Sequence, residues 1–384
     1  MGKLSGERGS SFSLALGDNF YSSGITTDET DMRFEHTFEN VFTSSNLMAD
    51  DFFRVLLGNH DHYGNVSAQV QYSNHSKRWR MDDLYWSFEE TGPAYTGSAA
   101  DGLAASNTAA TSTSVKIVMI DTVTLAGVGH AKDEVTGEYF TPDGDALPGP
   151  ADQEVADAQW TWIEAQMEAA SDADYLIVAG HYPVYSICEH GPTSTLVDQL
   201  KPLLEKYNAT AYVNGHDHCQ QQIDVNGVAY HTIGSAHAND PSTAHKSKIP
   251  SGSLQFHIGN EDQGGFGVVT VTGAGLVVEH MAGNGTVVYT APAIAPRSAV
   301  RVAPAVAKKE KKEKMEVTIR DDLKVDHTLS PCSGSDCKDC GIGIAACAAA
   351  CVVSFPEGCI GCLTAYPGCC KCGSEHFHYD CSYC

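Results

Sequence analysis

The chain has 384 residues, 42% of them hydrophobic, enough apolar material for one large domain with an appendage. Its net charge of −24 argues against nucleic acid as a partner, because phosphate backbones are met by Lys and Arg. No uninterrupted apolar run nears the roughly 20 residues a membrane span needs, so no span is expected.

Met1 to Ser11 reads as loop and lacks the apolar core of a signal peptide. A short apolar strand, Ser13-Leu14-Ala15-Leu16, then runs into Gly17-Asp18-Asn19-Phe20-Tyr21. Asp28 or Asp31 can cap the helix that follows, with Phe34, Phe38, Val41 and Phe42 on one face. A second strand, Phe52 to Leu57, leads into Gly58-Asn59-His60-Asp61-His62, and the next helix starts near Val66. Thr91 to Ser114, rich in Ala, Gly, Ser and Thr, reads as a surface insertion. Val115 to Ile120 is a strand ending at Asp121, and Ala126 to Pro150 is a long loop near the mouth of the site. Asp152 to Ala170 reads as an amphipathic helix with Val155, Trp162, Ile163 and Ala169 inward. Tyr175 to Ala179 is a strand that enters Gly180-His181-Tyr182-Pro183. The helix from Thr193 to Tyr207 carries Leu196, Leu200, Leu203 and Leu204, with a break expected at Pro202. Thr210 to Val213 leads through Asn214 into Gly215-His216-Asp217-His218.

Beyond this point helices give way to strands at Val228–Ile233, Leu254–Ile258, Phe266–Thr272, Leu276–His280 and Thr286–Tyr289. The Pro/Ala-rich stretch from Ala291 and the Lys/Glu run Lys308 to Lys314 mark a linker, 291–331. Of 14 cysteines, Cys188 and Cys219 stand alone in the first 331 residues and 12 lie between Cys332 and Cys384. That density reads as a disulfide-stapled module, hence an oxidising compartment. The CxxC pairs Cys337/Cys340, Cys359/Cys362 and Cys381/Cys384 are also compatible with zinc. Sequons at Asn65, Asn74, Asn208 and Asn284 agree with a secreted glycoprotein.

Four Gly-headed loops thus follow four strands, and in an open α/β sheet such strand ends converge on one crevice. Hydrolysis of a phosphate ester at two metals needs a bridging oxygen, ligands on each side, and a group that protonates the leaving oxygen. Asp18 has the carboxylate to bridge. Tyr21 offers a hard phenolate suited to Fe(III), Asn59 a carbonyl oxygen, and His181 and His216 imidazoles that suit Zn(II) or Fe(II). His218 can reach the other metal. His60 is placed to act as an acid or to donate to phosphate, with Asp61 as its orienting partner. His36, His75, His130, His231, His237, His245, His257 and His280 lack such a context and read as surface or core residues.

Together these four motifs resemble those of the calcineurin-like metallophosphoesterases, and the Tyr in the first resembles the purple acid phosphatases of the small tartrate-resistant (type 5) kind. Gly64-Asn65-Val66-Ser67-Ala68-Gln69, Asp121-Thr122-Val123-Thr124-Leu125 and Glu189-His190-Gly191-Pro192-Thr193 carry the same resemblance. It covers about Ser13 to Tyr289 and implies an α/β (α+β) fold, a sandwich of two mixed β-sheets flanked by helices, over residues 1–290. It also implies an Fe(III)–M(II) pair, with M as Fe(II), Zn(II) or Mn(II), and attack by a metal-bound hydroxide on a phosphomonoester or phosphoprotein. By that pattern Asp18 bridges, Tyr21 and His218 bind Fe(III), and Asn59, His181 and His216 bind the divalent ion. His60 and His190 face the phosphate. The family's disulfide falls at positions matching Ala126 and Thr195, where neither residue is Cys.

The family also has a Gly-Asp motif on an earlier strand whose Asp binds Fe(III). Only 16 residues precede Gly17, and Glu7 is their single carboxylate. The expectation is that the sequence begins inside a longer reading frame, that upstream residues supply the strand and a secretion signal, and that the chain as written is nearly inactive. A second reading is a catalytically impaired binding protein of the same fold that acts through its Cys-rich tail on an unknown partner. The chain is expected to be a monomer.

Overall fold

The computed structural model describes residues 1–92, 112–129, 142–236, 239–259 and 264–297, and the backbone of 131–132 and 139–140. The body of the insertion, His130, His237, part of the long loop, the linker past 297 and the Cys-rich tail lie outside the described residues.

Instead of a loop, the chain begins with a helix, α1 (Gly2–Arg8), closed by Gly9 at φ 63°. Strand β1 (Ser13–Leu16) follows. Helix α2 (Met32–Phe34) is capped by the Asp31 carboxylate, which accepts from the Arg33 amide at 2.9 Å, and runs on as a π-turn to Glu39. Phe34 and Phe38 are buried as expected, whereas Val41 points to solvent. Next come β2 (Phe53–Leu56), α3 (Asn59–His62), α4 (Val66–Tyr72), β3 (Trp79–Arg80), β4 (Trp86–Gly92), β5 (Thr113–Met119) and α5 (Thr122–Ala126). A two-stranded ribbon, β6 (Ala131–Lys132) and β7 (Tyr139–Phe140), lies within the long loop.

Helix α6 (Gln153–Ala169) starts at the Asp152 cap, buries Ile163 and packs Trp162 on the core as expected, but turns the other two expected residues outward. Val155 and Ala169 are exposed, while Ala156, Gln159, Ile163 and Met167 face inward. The apolar residues at helical spacing, Ala156, Ile163 and Met167, set the rotation. Gln159 joins them because its amide accepts from the Asp121 N–H at 2.9 Å and donates to the Asp121 carbonyl at 3.1 Å. A buried amide that satisfies a backbone pair costs little, and an unsatisfied one costs about 1–3 kcal/mol. After β8 (Tyr175–Gly180), a π-turn over Leu196–Leu200 hands over to α7 (Lys201–Lys206). Pro202 lies in the first turn of α7, where its missing N–H goes unneeded, so the expected break is observed one turn earlier. The remaining strands are β9 (Ala211–Asn214), β10 (Gln220–Val225), β11 (Val228–Ile233), β12 (Leu254–Ile258), β13 (Gly265–Thr272), β14 (Gly275–Ala282) and β15 (Val287–Thr290).

The strands form a sandwich. One layer is a seven-stranded mixed sheet, β12-β10-β11-β9-β8-β5-β4, parallel through its centre and antiparallel at both ends. Facing it are a parallel sheet, β1-β2-β3, and an antiparallel one, β13-β14-β15. Alternation along β5 and β8 sends Val115, Ile117, Met119, Tyr175 and Ile177 to the core between the layers. Val118, Leu176 and Val178 point the other way, onto α5, α6 and α7. Both faces of the large sheet are therefore covered, as parallel strands require. Aromatic residues of α2 and its π-turn, α4 and β3 cover the outside of β2, where Phe34 stacks on Tyr72 at 3.8 Å.

Candidate metal centre

The carboxyl ends of β1, β2, β8 and β9 bring the four Gly-headed loops together. Close backbone approach explains two of the glycines. A Cβ on Gly58 would lie 2.2 Å from Asp18 Oδ1 and 2.4 Å from the Asp18 nitrogen. Gly17 has φ 88°, and a Cβ there would lie 2.7 Å from the Gly58 nitrogen. The crossing presses Asp18 onto the start of α3, where the His60 amide donates to Asp18 Oδ1 at 3.0 Å.

His181 Nδ1 donates to the Leu16 carbonyl at 2.7 Å, which fixes the ring orientation and aims Nε2 at the centre. That nitrogen faces Asn59 Oδ1 at 3.0 Å and Asp18 Oδ1 at 3.3 Å. Asp18, His181 and His216 have ligand atoms within 4.8 Å of one another. On the other side of Asp18, Oδ2 accepts from the Tyr21 hydroxyl at 2.9 Å, and that hydroxyl lies 3.1 Å from His218 Nε2. All six expected ligands thus meet around one carboxylate.

His60 and His190 lie on the rim. The His60 ring packs against Tyr21 at 4.5 Å, and its Nδ1 donates to the Ser22 carbonyl at 2.6 Å. The His190 ring stacks on His216 at 4.3 Å, and its backbone N–H donates to Asp217 Oδ1 at 2.8 Å. Asp61 differs from its expected role. Its buried carboxylate accepts from the amides of Asn19 (3.1 Å), Phe20 (3.3 Å) and Gly58 (2.9 Å) and from Gln69 Nε2 (2.8 Å). It locks the first two loops together, and the carbonyl of Ser22 orients His60. Beside them, His62 Nε2 pairs with Asp121 at 2.9 Å, a contact the sequence did not signal.

The electrostatics favour a cation at the centre. Burial raises the Asp18 pKa, but His181 and His60 beside it hold the carboxyl well below the usual range. Burial works against a charged His181, yet Asp18 leaves its pKa raised. Burial and the neighbouring histidines push His216 well below its ordinary value, so its ring is neutral and can ligate. Burial and Asp18 push the Tyr21 phenol up. Three acceptors that face one another around an anionic carboxylate need a proton or a metal ion between them. The donor set, with a phenol and one imidazole on the Tyr21 side and an amide oxygen and two imidazoles on the other, fits a pair of metals of unequal hardness.

A mixed sandwich whose strand-end loops converge on such a centre is the architecture of a metallophosphoesterase. The sequence model of the calcineurin-like phosphoesterase family matches residues 4–220, and the chain belongs to that family. Human tartrate-resistant acid phosphatase type 5 is 42% identical over 279 residues, spanning 72% of this chain and 77% of the human protein. Arabidopsis thaliana purple acid phosphatase 17 is 29% identical over 227 residues, or 58% of this chain and 57% of the plant protein. A Plasmodium structure titled "GAP50 the anchor in the inner membrane complex" superposes with a TM-score of 0.59 at 20% identity, covering 76% of this chain and 81% of the other, a likeness of fold. Among the described residues no helix is long and apolar enough to cross a membrane.

Proposed function

We propose that this protein is an acid phosphatase that hydrolyses phosphate monoesters at a binuclear centre. Asp18 is shared, Tyr21 and His218 hold Fe(III), and Asn59, His181 and His216 hold Fe(II), Zn(II) or Mn(II). The observation that carries this reading is the facing triplet of His181 Nε2, Asn59 Oδ1 and Asp18 Oδ1, which needs a proton or a metal ion between its members. Bound there, the metals supply Lewis-acid activation of water and neutralise charge on the phosphoryl group.

The chain's own residues do the rest. His60 keeps the proton of Nδ1 on the Ser22 carbonyl, so Nε2 is the nitrogen that exchanges protons or bonds with substrate oxygen. His190, held by Asp217 and stacked on His216, is a second donor to the phosphate or the leaving oxygen. Asp61 fixes the two loops that carry Asp18 and Asn59, which keeps the donors in position without reorganisation.

The same reading makes the protein a secreted, glycosylated monomer with residues 1–290 as the catalytic domain and residues 332–384 as a separate module. Exposure of all four sequon asparagines supports it, as does the buried disulfide between Cys188 and Cys219. The test is turnover of a chromogenic phosphomonoester by the natural protein across pH, with a phosphodiester for comparison. The expected result is an acidic optimum, preference for the monoester, and loss of both activity and metal in Asp18→Ala. Bound metal with no turnover of either ester favours the binding-protein reading instead.

A further inference from the structure

Cys188 and Cys219 are fully buried and bonded to each other across a Cα separation of 6.7 Å. The proposed chemistry does not use them, and they are not the pair of positions that the resemblance implies. Their place in the fold is specific. Cys188 lies two residues before His190, in a segment, residues 181–193, with no helix or strand. Cys219 directly follows His218 and lies two residues after Asp217, at the turn into β10.

Hydrogen bonds converge on the same contact. The Ile187 amide donates to Gln221 Oε1 at 3.1 Å, and Gln221 Nε2 donates to Ser186 Oγ at 2.6 Å. Ser186 Oγ also accepts from the Cys188 amide at 3.0 Å, and His245 Nδ1 donates to the Cys188 carbonyl at 2.7 Å. The strap therefore meets β10 through Gln221, the approach to β10 through Asp217 and Cys219, and His245, with one covalent tie among these contacts. Both partners of the bond from the His190 amide to Asp217 are two residues from a sulfur of that tie.

We propose that the Cys188–Cys219 disulfide is a positioning element of the reaction site, holding the strap so that His190 stays stacked on His216 and reaches the phosphate. This rests on the function proposed above. A strap with no regular structure keeps sub-ångström placement of a ring poorly, and misplacement of about 1 Å costs up to roughly 100-fold in rate. The covalent tie limits that freedom where hydrogen bonds alone exchange with water.

The test uses the natural protein with Cys188→Ala and Cys219→Ala together, since a thiol reagent would also reach the tail. Peptide mapping first establishes the bond. Amide exchange is then followed over 186–190 and over β8, alongside metal content and kcat, in the wild-type and His190→Ala backgrounds. The expected result is exchange at 186–190 faster by about tenfold, β8 unchanged, metal retained and kcat lower by about tenfold. In His190→Ala, removing the disulfide lowers kcat by less than about twofold, because its effect runs through that ring. Unchanged exchange overturns the proposal, as does a loss of kcat that simply multiplies with His190→Ala. Free thiols at both positions overturn it too, as does zinc held by Cys188, Cys219 and His257, whose ligand atoms lie within 4.8 Å of one another. If the alanine pair does not fold, Cys188→Ala with Cys219→Val refills the volume of the bridge. Exchange reads the tie whether or not the protein turns over an ester. An inactive wild type with faster exchange in the variant therefore removes the proposed function and leaves the tie standing.

Discussion

The floor of the site and its rim are built differently. Asn59, His181 and His216 are at most 7% exposed, and the Leu16 carbonyl at the end of β1 sets the direction of His181. His60, in the short helix α3, and His190, on the strap, are half-buried, and each ring packs on one neighbour, Tyr21 or His216. In the proposed function the floor holds the metals and the rim moves protons. A floor residue has no room to give, so its loss empties the centre, whereas a rim residue sets how well a filled centre works.

His181→Ala is the largest break. It removes one of three facing acceptors, and turnover should fall by about 1,000-fold or more together with metal content. His190→Ala or His60→Ala sharpens the contrast. Turnover should fall by roughly 100-fold with metal content unchanged, in the usual range for a general acid. Metal loss in either rim variant would merge the two regions. Asp61→Ala tests what holds the floor together. It strands buried amides of Asn19, Phe20 and Gly58, so urea unfolding should show a loss of more than about 2 kcal/mol.

The four motif loops were legible because each ligand follows a Gly at the end of an apolar strand. The rest was less legible for reasons particular to each residue. Strand β10 begins Gln220-Gln221-Gln222, which carries no apolar pattern, and it is buried because those amides find partners such as the Met281 carbonyl and Thr232. Gln159 is buried among the apolar residues of α6 in the same way, its amide paired with the Asp121 backbone. Asp61 lies next to His60 in sequence, which made it look like an orienting partner, but the helical turn aims its carboxylate at the neighbouring loop. Cys188 and Cys219 are 31 residues apart with nothing in their spacing to pair them.

Away from both regions lies a buried histidine pair, His231 Nδ1 and His280 Nε2 at 3.1 Å, with His280 Nδ1 also 3.2 Å from Gln220 Oε1. Burial holds His231 at about 3 and His280 at about 4, both below the ordinary value. The unfolded chain therefore binds more protons below about pH 6.5. Stability should be full above that pH and fall, by on the order of a few kcal/mol, as the pH drops towards 4. Chemical unfolding across pH reads this, and His280→Gln should flatten the limb. If acid stability is unaffected by that change, the limb belongs to the floor instead. The smallest effect is expected from the tail. Ala291, Ile294 and Arg297 pack on the first unit, Met1–Val306, rather than starting the linker, so the cut belongs between Ala307 and Lys314. Turnover should then stay within about twofold, because all the named site residues lie between Asp18 and His218.

The central claim is that six residues around Asp18 hold two unlike metals. Elemental analysis of the natural protein, with its visible spectrum, tests it most directly. The account predicts two metals per chain, at least one of them iron, and a purple or pink charge-transfer band that Tyr21→Phe abolishes. A colourless, fully active wild type carrying two zinc ions would contradict the iron assignment, and a wild type with no bound metal would contradict the centre itself.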